Sequence, residues 1–281
     1  MRADLHVHSN ASDGTDPPAE VMSRAARAGL DVVALTDHDT VAGHAPARQA
    51  LPDGLTLLPG MELSSRLDGR SLHLLAYLFD PDDPQLAAET RRIRGDRVRR
   101  ARAMVDRLIG LGVPITWDDV AAIAGSAVVG RPHIARAMAA SGAIASPDQA
   151  FTRDWIADGG RAYVDRYALE AARAIGLVRA AGGVAVIAHP RADRDLRVTD
   201  EQIASLAAVG LAGVEVFHPD QPEADQVSLL ALTRDLGLIA SGGSDDHGSL
   251  TGHRIGSHTA ADGAYENLIA KATGSQPVRN G

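Results

Sequence analysis

Short apolar runs that end in polar clusters alternate along this chain with stretches whose apolar residues recur every third or fourth position, the pattern of strands followed by amphipathic helices. The first run, Asp4-Leu-His6-Val-His8, alternates, which puts His6 and His8 on one face of a strand and Leu5 and Val7 on the other. Asp16-Pro17-Pro18 then starts a helix, with Asp16 as its N-cap, Val21, Ala25 and Ala28 on one face, and Gly29 closing it. Asp31 to Leu35 reads as a buried strand running into Thr36-Asp37-His38-Asp39-Thr40. Leu55 to Leu63 makes a third strand with Glu62 near its end, and Ser71 to Phe79 a fourth with His73 near its start. Only a short polar link around Asp68-Gly69 joins these two. A parallel crossover needs about a dozen residues, so the pair is expected to run antiparallel, which carries His73 to Glu62.

From Asp80 to about Asp165 the periodicity turns helical. Pro84 to Leu111 repeats Val98, Ala101, Val105 and Leu108 on one face, and helical segments follow at Trp117 to Ala124, Arg131 to Ala140 and Pro147 to Ile156. Residues 81–165 are therefore read as an inserted helical lid, with 1–80 and 166–281 forming the main domain. The eight arginines between Arg91 and Arg107 have no aromatic residues interleaved and read as a solvated helix face. The alternation then resumes. Helix Leu169 to Ala181 leads to strand Val184 to Ala188, which ends in His189-Pro190. Helix Asp200 to Val209 leads to strand Gly213 to Phe217, which ends at His218, and helix Glu223 to Leu236 leads to strand Leu238 to Ala240, followed by Ser241-Gly-Gly-Ser-Asp245-Asp246-His247. This makes seven strands in an α/β arrangement. Histidine or acid recurs at the carboxyl end of nearly every strand, the edge at which such folds build their sites.

Composition narrows the chemistry. Hydrophobic residues make up 45% of the 281 positions but aromatics only 3%, so the core is aliphatic. There is no cysteine, which excludes disulfides, thiolate catalysis and sulfur-ligated zinc, and any metal must be held by nitrogen and oxygen. A net charge of −8 argues against broad attraction to nucleic acid, and the single lysine, Lys271, beside many arginines is read as coding bias. A first candidate ligand at residue 6 leaves no room for a cleaved leader, and no apolar run reaches the ~18 residues of a membrane span. A soluble cytoplasmic protein with no membrane association is expected, and no protein partner can be inferred.

Taken together, Asp4-Leu-His6-Val-His8-Ser with Asp13-Gly14-Thr15, Thr36-Asp37-His38-Asp39, Gly60-Met-Glu62, His73-Leu-Leu-Ala-Tyr77, Ala188-His189-Pro190 and Gly243-Ser-Asp245-Asp246-His247-Gly248 resemble the PHP (polymerase and histidinol phosphatase) superfamily of metal-dependent phosphoesterases. The resemblance implies a distorted seven-stranded β/α barrel with two or three divalent ions, Mn, Fe or Zn. It implies one ion on His6, His8, Glu62 and Asp245, a second on Glu62, His73 and His189, and a third on Asp13, His38 and His247. It also implies a metal-activated hydroxide attacking a phosphate monoester. Arg131-Pro132-His133 resembles the subgroup acting on nucleoside 3',5'-bisphosphates and short RNA ends. The expected substrate is thus a small phosphorylated compound, a nucleoside 3',5'-bisphosphate that loses its 3'-phosphate while Arg131 holds the other. Arg131, His133 and His218 are the candidates for binding phosphate or protonating the leaving oxygen. The alternatives are a 5'-3' exonuclease on short single-stranded RNA, a histidinol phosphate phosphatase, and, in another class, a noncatalytic metal-stabilised binding domain.

Overall fold

The computed structural model describes residues 1–125, 129–165, 167–192 and 197–280; the expected domain boundary at residue 166 lies outside them. The chain divides into two compact units, Met1–Thr90 with Ala168–Gly281, and Arg91–Tyr167.

The first unit is an α/β barrel. Its strands β1 (Ala3–Val7), β2 (Val32–Leu35), β3 (Thr56–Leu67), β4 (Arg70–Tyr77), β6 (Val184–Ile187), β7 (Gly213–Phe217) and β8 (Ile239–Gly242) follow one another round the sheet in that order, and two-residue strands β5 (Leu169–Glu170) and β9 (Val278–Arg279) both pair with β3. The ends of the sheet nearly meet: the His8 amide donates to the Asp246 carbonyl at 2.9 Å and the Asp245 amide to the His6 carbonyl at 2.8 Å. Asp4 reinforces the seam by accepting from the Ser244 and Gly256 amides. Helices α1 (Pro18–Arg27), α2 (His44–Gln49), α6 (Ala171–Ala180), α7 (Asp200–Ala208), α8 (Glu223–Leu236) and α9 (Ala264–Lys271) complete the unit. Among the described residues no helix is long and apolar enough to cross a membrane.

Along the seven-stranded path every neighbouring pair is parallel except the two made by β4, which runs antiparallel to both β3 and β6; off that path β9 also pairs antiparallel with β3. The short-link argument therefore holds for β3 and β4, with Glu62 opposite Leu75 and Ser64 opposite His73. Because β4 is reversed, its first residues lie at the edge where the other strands end.

Four local expectations are corrected. Asp16 does not cap α1: the cap position is Pro17, and the Asp16 carboxylate instead meets Arg24 Nε at 2.8 Å. Simple alternation fails in β1, where the register shifts between Asp4 and Val7. Leu5 packs with Leu58, Tyr77, Val186 and Ile239 from around the sheet, whereas Val7 packs with Val21 and Met22 of α1, so a bulge re-aims the strand at His6. Leu169-Glu170 is a strand rather than the start of a helix; β2 ends at Leu35, and β5 pairs with β3 further along, at Ser65 and Arg66. Finally, residues 147–156 form only a 3-10 turn, Pro147–Ala150. Ala150 and Ile156 are both fully buried, and six residues of a continuous helix would turn them to different faces.

The second unit contains most of α3 (Pro84–Gly110) with α4 (Trp117–Ala124) and α5 (Arg131–Ala140), around a core of Met104, Val105, Leu108, Val120, Ile134 and Met138. The arginine row of α3 is not a plain solvated face. Chain from outside the helix supplies rings that the linear pattern hides: Arg92 lies 3.8 Å from the Tyr167 ring centroid, Arg102 4.1 Å from Trp117 and Arg100 5.1 Å from Tyr163.

Candidate metal centre

The strand ends of the first unit bring together every nitrogen and oxygen donor singled out above in the barrel. His6 and His8 leave β1, Asp13 follows in the next loop, His38 follows β2, Glu62 lies in β3, His73 in β4, His189 after β6, and Asp245 and His247 after β8. Glu62 is the hub. Its Oε1 is 2.7 Å from His73 Nδ1 and 3.1 Å from His189 Nε2, while its Oε2 lies 3.1 Å from His8 Nε2, 3.2 Å from His38 Nδ1 and 3.3 Å from His6 Nε2. Asp245 Oδ1 faces His8 and His6 at 3.3 and 3.4 Å, and Asp13 faces His247 at 3.3 Å and His38 at 3.7 Å. Among the described residues four donor groups result: His6, His8, Glu62 and Asp245; His8, Asp13, His38 and His247; His38, Glu62 and His73; and His218, Asp220 and Asp245. His8 and His38 each sit between two groups, a sharing that the motifs alone did not suggest.

The backbone is bent to make this possible. His189 and Asp245 adopt φ of 29° and 49°, in the left-handed region that residues other than glycine rarely enter, where the strands turn sharply at the site.

Two observations test whether the donors suit cations. His6 Nε2 and His8 Nε2 face each other at 3.0 Å, an arrangement of two lone pairs that requires a proton or a cation. Donors bound tetrahedrally at ~2.1 Å from one ion stand about 3.4 Å apart, close to the spacings above. In addition, buried His73 Nδ1 and Asp13 Oδ1 make no well-aligned hydrogen bond despite lying 2.7 Å from Glu62 and 3.3 Å from His247, the close approach of donors that share a cation. An oxygen and nitrogen set of this kind fits divalent Mn, Fe or Zn.

Hydrogen bonds distinguish imidazoles that turn a lone pair toward the centre from one that turns a proton there. His6 Nδ1 is 2.9 Å from Glu215 Oε1, and His247 Nδ1 is 3.0 Å from the Asp245 carbonyl; donating there, each ring turns the Nε2 lone pair toward the centre. His218 has the opposite arrangement. Its Nδ1 accepts from the Asp220 amide at 3.0 Å, so Nε2 carries the proton and points it at Asp245 Oδ2, 3.3 Å away. Glu215, which the sequence reading left without a role, also accepts from the His189 amide at 2.7 Å and is fully buried. An acid inside an otherwise apolar strand was the available signal, since a buried carboxylate demands partners.

The two remaining candidates lie in the other unit. Arg131 Nη1 pairs with Asp158 at 2.9 Å, and His133 Nδ1 accepts from the Gly130 amide at 3.0 Å, at the start of α5.

Electrostatically, in the absence of metal, the buried carboxylates and several imidazoles of the centre favour each other's charged forms. Burial opposes ionisation of Glu62, Asp13 and Asp245, but the surrounding imidazoles hold all three well below the usual carboxylate range. Burial likewise opposes protonation of His8, yet hydrogen bonds to Asp245 and Glu62 push it up to about 10, and His6 and His189 are raised by the same carboxylates together with Glu215. A divalent ion must displace these protons. For the metal-free chain, the stability contributed by His8 is complete below pH 6.5 and lost as pH rises toward 10, while that of the carboxylates is complete above their ordinary range and lost in acid. The melting temperature of chelated protein is therefore expected to fall between pH 6.5 and 9.5 by several degrees more than that of metal-loaded protein. Parallel curves in paired thermal melts would show that the imidazoles do not hold these protons.

Comparison with known proteins agrees with this geometry. The PHP domain family matches residues 4–94. The chain is 36% identical over 260 residues to a 3',5'-nucleoside bisphosphate phosphatase of Chromobacterium violaceum, covering 91% of this chain and 90% of that one. It is 35% identical over 246 residues to a 5'-3' exoribonuclease of Haemophilus influenzae, covering 87% and 89%. A solved structure from Bifidobacterium adolescentis, described as a metal-dependent phosphoesterase, superposes with a TM-score of 0.88 and 34% identity over 96% of both chains.

Proposed function

Because this chain belongs to the PHP family of metal-dependent phosphoesterases, we propose that it removes the 3'-phosphate from nucleoside 3',5'-bisphosphates at a centre of two or three divalent ions. The observation that carries the reading is Glu62, a buried carboxylate within 3.3 Å of five imidazoles, with both oxygens engaged on different sides. Bound there, divalent ions would neutralise phosphate oxygens and supply a nucleophile at neutral pH. The nine ligands in this reading are His6, His8, Asp13, His38, Glu62, His73, His189, Asp245 and His247.

The protein groups divide the remaining work. Glu215 and the Asp245 carbonyl fix the tautomers of His6 and His247 and so keep their lone pairs turned inward. His218 offers an Nε2–H at the rim of the same cluster and is assigned to donate a hydrogen bond or the proton to the leaving ribose oxygen. Arg131 and His133 are assigned to the second phosphate, which contributes to rate by positioning the first.

The bisphosphate reading is supported by the phosphatase from Chromobacterium violaceum, which aligns along nearly the whole chain. A second reading, trimming of short RNA from its 5' end, is supported by the exoribonuclease relative. Metal-loaded protein assayed on a nucleoside 3',5'-bisphosphate, a 5'-phosphorylated oligoribonucleotide and histidinol phosphate separates these. Release of inorganic phosphate from the bisphosphate at least tenfold faster, per kcat/KM, than any turnover of the others is expected. Preferential release of mononucleotides would give the second reading, and preference for histidinol phosphate would remove both.

A further inference from the structure

Arg254 lies in the segment after β8 but reaches the segment after β7. Its Nη1 donates to Asp220 Oδ1 at 3.3 Å, while Nη2 donates to the Asp245 carbonyl at 3.2 Å and stands 3.6 Å from Asp245 Oδ2. One planar guanidinium thus spans the two loops that carry His218 and Asp245, a fork that an ammonium does not reproduce. The base of the side chain is fixed as well. Buried Asp246 accepts from the Arg254 amide at 2.6 Å, from Thr251 Oγ1 at 3.0 Å and, through its other oxygen, from the Gly248 amide at 3.0 Å, which ties residues 246–254 into one closed loop. At the far end of the fork stands Asp220. Its own amide is the donor that His218 Nδ1 accepts at 3.0 Å, the contact that leaves the proton on Nε2. Where Asp220 sits therefore decides which nitrogen of His218 carries hydrogen. The rest of this loop is anchored separately, by the Gln221 side-chain amide donating to the carbonyls of Glu215 and Val216, so loss of Arg254 loosens Asp220 without unravelling the loop.

We propose that Arg254 is a positioning residue for hydrolysis: through Asp220 it holds His218 with Nε2–H turned to the centre, where His218 donates a hydrogen bond to the leaving ribose oxygen as negative charge develops on it. The catalytic half of this statement rests on the assignment of His218 made above; the hold of Arg254 on His218 does not. A donor fixed beforehand stabilises developing charge without reorganising during the reaction. Its worth depends on the leaving group. A ribose alkoxide needs the hydrogen bond, whereas 4-nitrophenolate, which spreads its charge over the ring and the nitro group, leaves without it.

The test uses the full-length chain loaded with zinc. Arg254→Gln is expected to lower kcat on a nucleoside 3',5'-bisphosphate about tenfold to a hundredfold with KM nearly unchanged, and to slow 4-nitrophenyl phosphate by less than about threefold. Arg254→Lys, which keeps the charge beside Asp220, is expected to recover part of the loss. An equal loss on both substrates would mark a structural arginine or damage to the site through Asp245, and a raised KM with unchanged kcat would mark direct binding of phosphate; either overturns the proposal. A second readout does not use activity. In imidazole 15N spectra, with the His218 signals identified by their absence from His218→Gln, wild type is expected to show a protonated Nε2 and a bare Nδ1, and Arg254→Gln to bring the two signals closer as tautomers mix. An unchanged tautomer overturns the proposal. Should Arg254→Gln fail to fold, Asp220→Asn, at a side chain 36% exposed, cuts the same link from the other end and is expected to show the same dependence on leaving group; a loss independent of the substrate overturns it. If wild type leaves the bisphosphate intact, or His218→Gln slows both substrates equally, the reading above falls while the spectra still judge Arg254.

Discussion

Replacing Glu62 with Gln is expected to lower kcat about a thousandfold or more and to remove at least one metal ion per chain. The carboxylate is 1% exposed, and its two oxygens serve two sides: Oε1 faces His73 and His189, Oε2 faces His6, His8 and His38. Glutamine keeps the shape but replaces one oxygen with an amide NH2, which donates hydrogen bonds and offers no lone pair to a cation. One side of the proposed bridge would then be lost, together with the negative charge expected to offset the ions. A thousandfold corresponds to about 4 kcal/mol of transition-state stabilisation, the scale on which metal-bound charge acts. Elemental analysis and steady-state kinetics on the same preparation test this. Retention of full metal content and rate would mean that Glu62 is not a bridge.

The second large effect comes from a residue with no side chain. A Cβ built on Gly243 stands 2.4 Å from His6 Cβ and 2.5 Å from the His6 backbone nitrogen, far inside any tolerable contact. Close passage of the segment after β8 over β1 is what lets Asp245 reach the same donors as His6. Gly243→Ala therefore has to push the two strands apart, at a cost of about 1–3 kcal/mol for overpacking. A shift near 1 Å at a catalytic centre costs about a hundredfold in rate, so activity is expected to fall by at least that factor along with the melting temperature. Gly176→Ala provides the contrast. That glycine lies within α6 with nothing near its missing Cβ, and the same chemical change there is expected to stabilise the chain by about 0.5–1 kcal/mol. Thermal melts of the two variants should move in opposite directions. A Gly243→Ala protein with unaltered melting and metal content would show that the seam is soft.

Much of the barrel was readable because strands and helices announce themselves by period, and the candidate ligands because they are polar residues placed where apolar runs stop. The reversed β4 followed from the shortness of one link. Its second antiparallel neighbour, β6, did not, since that pairing joins segments separated by the whole helical insertion and no local pattern encodes it. The same holds for Glu215: its apolar neighbours in β7 marked it as unusual, but the contact to His6 is made 209 residues away in sequence. Tyr163, Tyr167 and Trp117 were invisible as partners of the arginine row because they come from outside α3. Hydrogen-bond tautomers, on which the division between ligand and proton donor rests, have no signature in the order of residues at all.

The seam between β1 and β8 also bears on the order of assembly. Glu62 and His73 belong to one hairpin and can meet as soon as that hairpin closes, whereas the contacts of Asp4 with Ser244 and Gly256 join positions 240 and 252 residues apart. Contacts with such sequence separation are the entropically expensive ones and form late. During synthesis from the amino end, half of the histidine-rich wall is therefore present long before Asp245 and His247 emerge, and a cation captured early meets a donor set still missing its last carboxylate. In the proposed ligand set the last donors arrive with the segment after β8, so metal retention is expected to fall in chains cut short of Asp245 and His247.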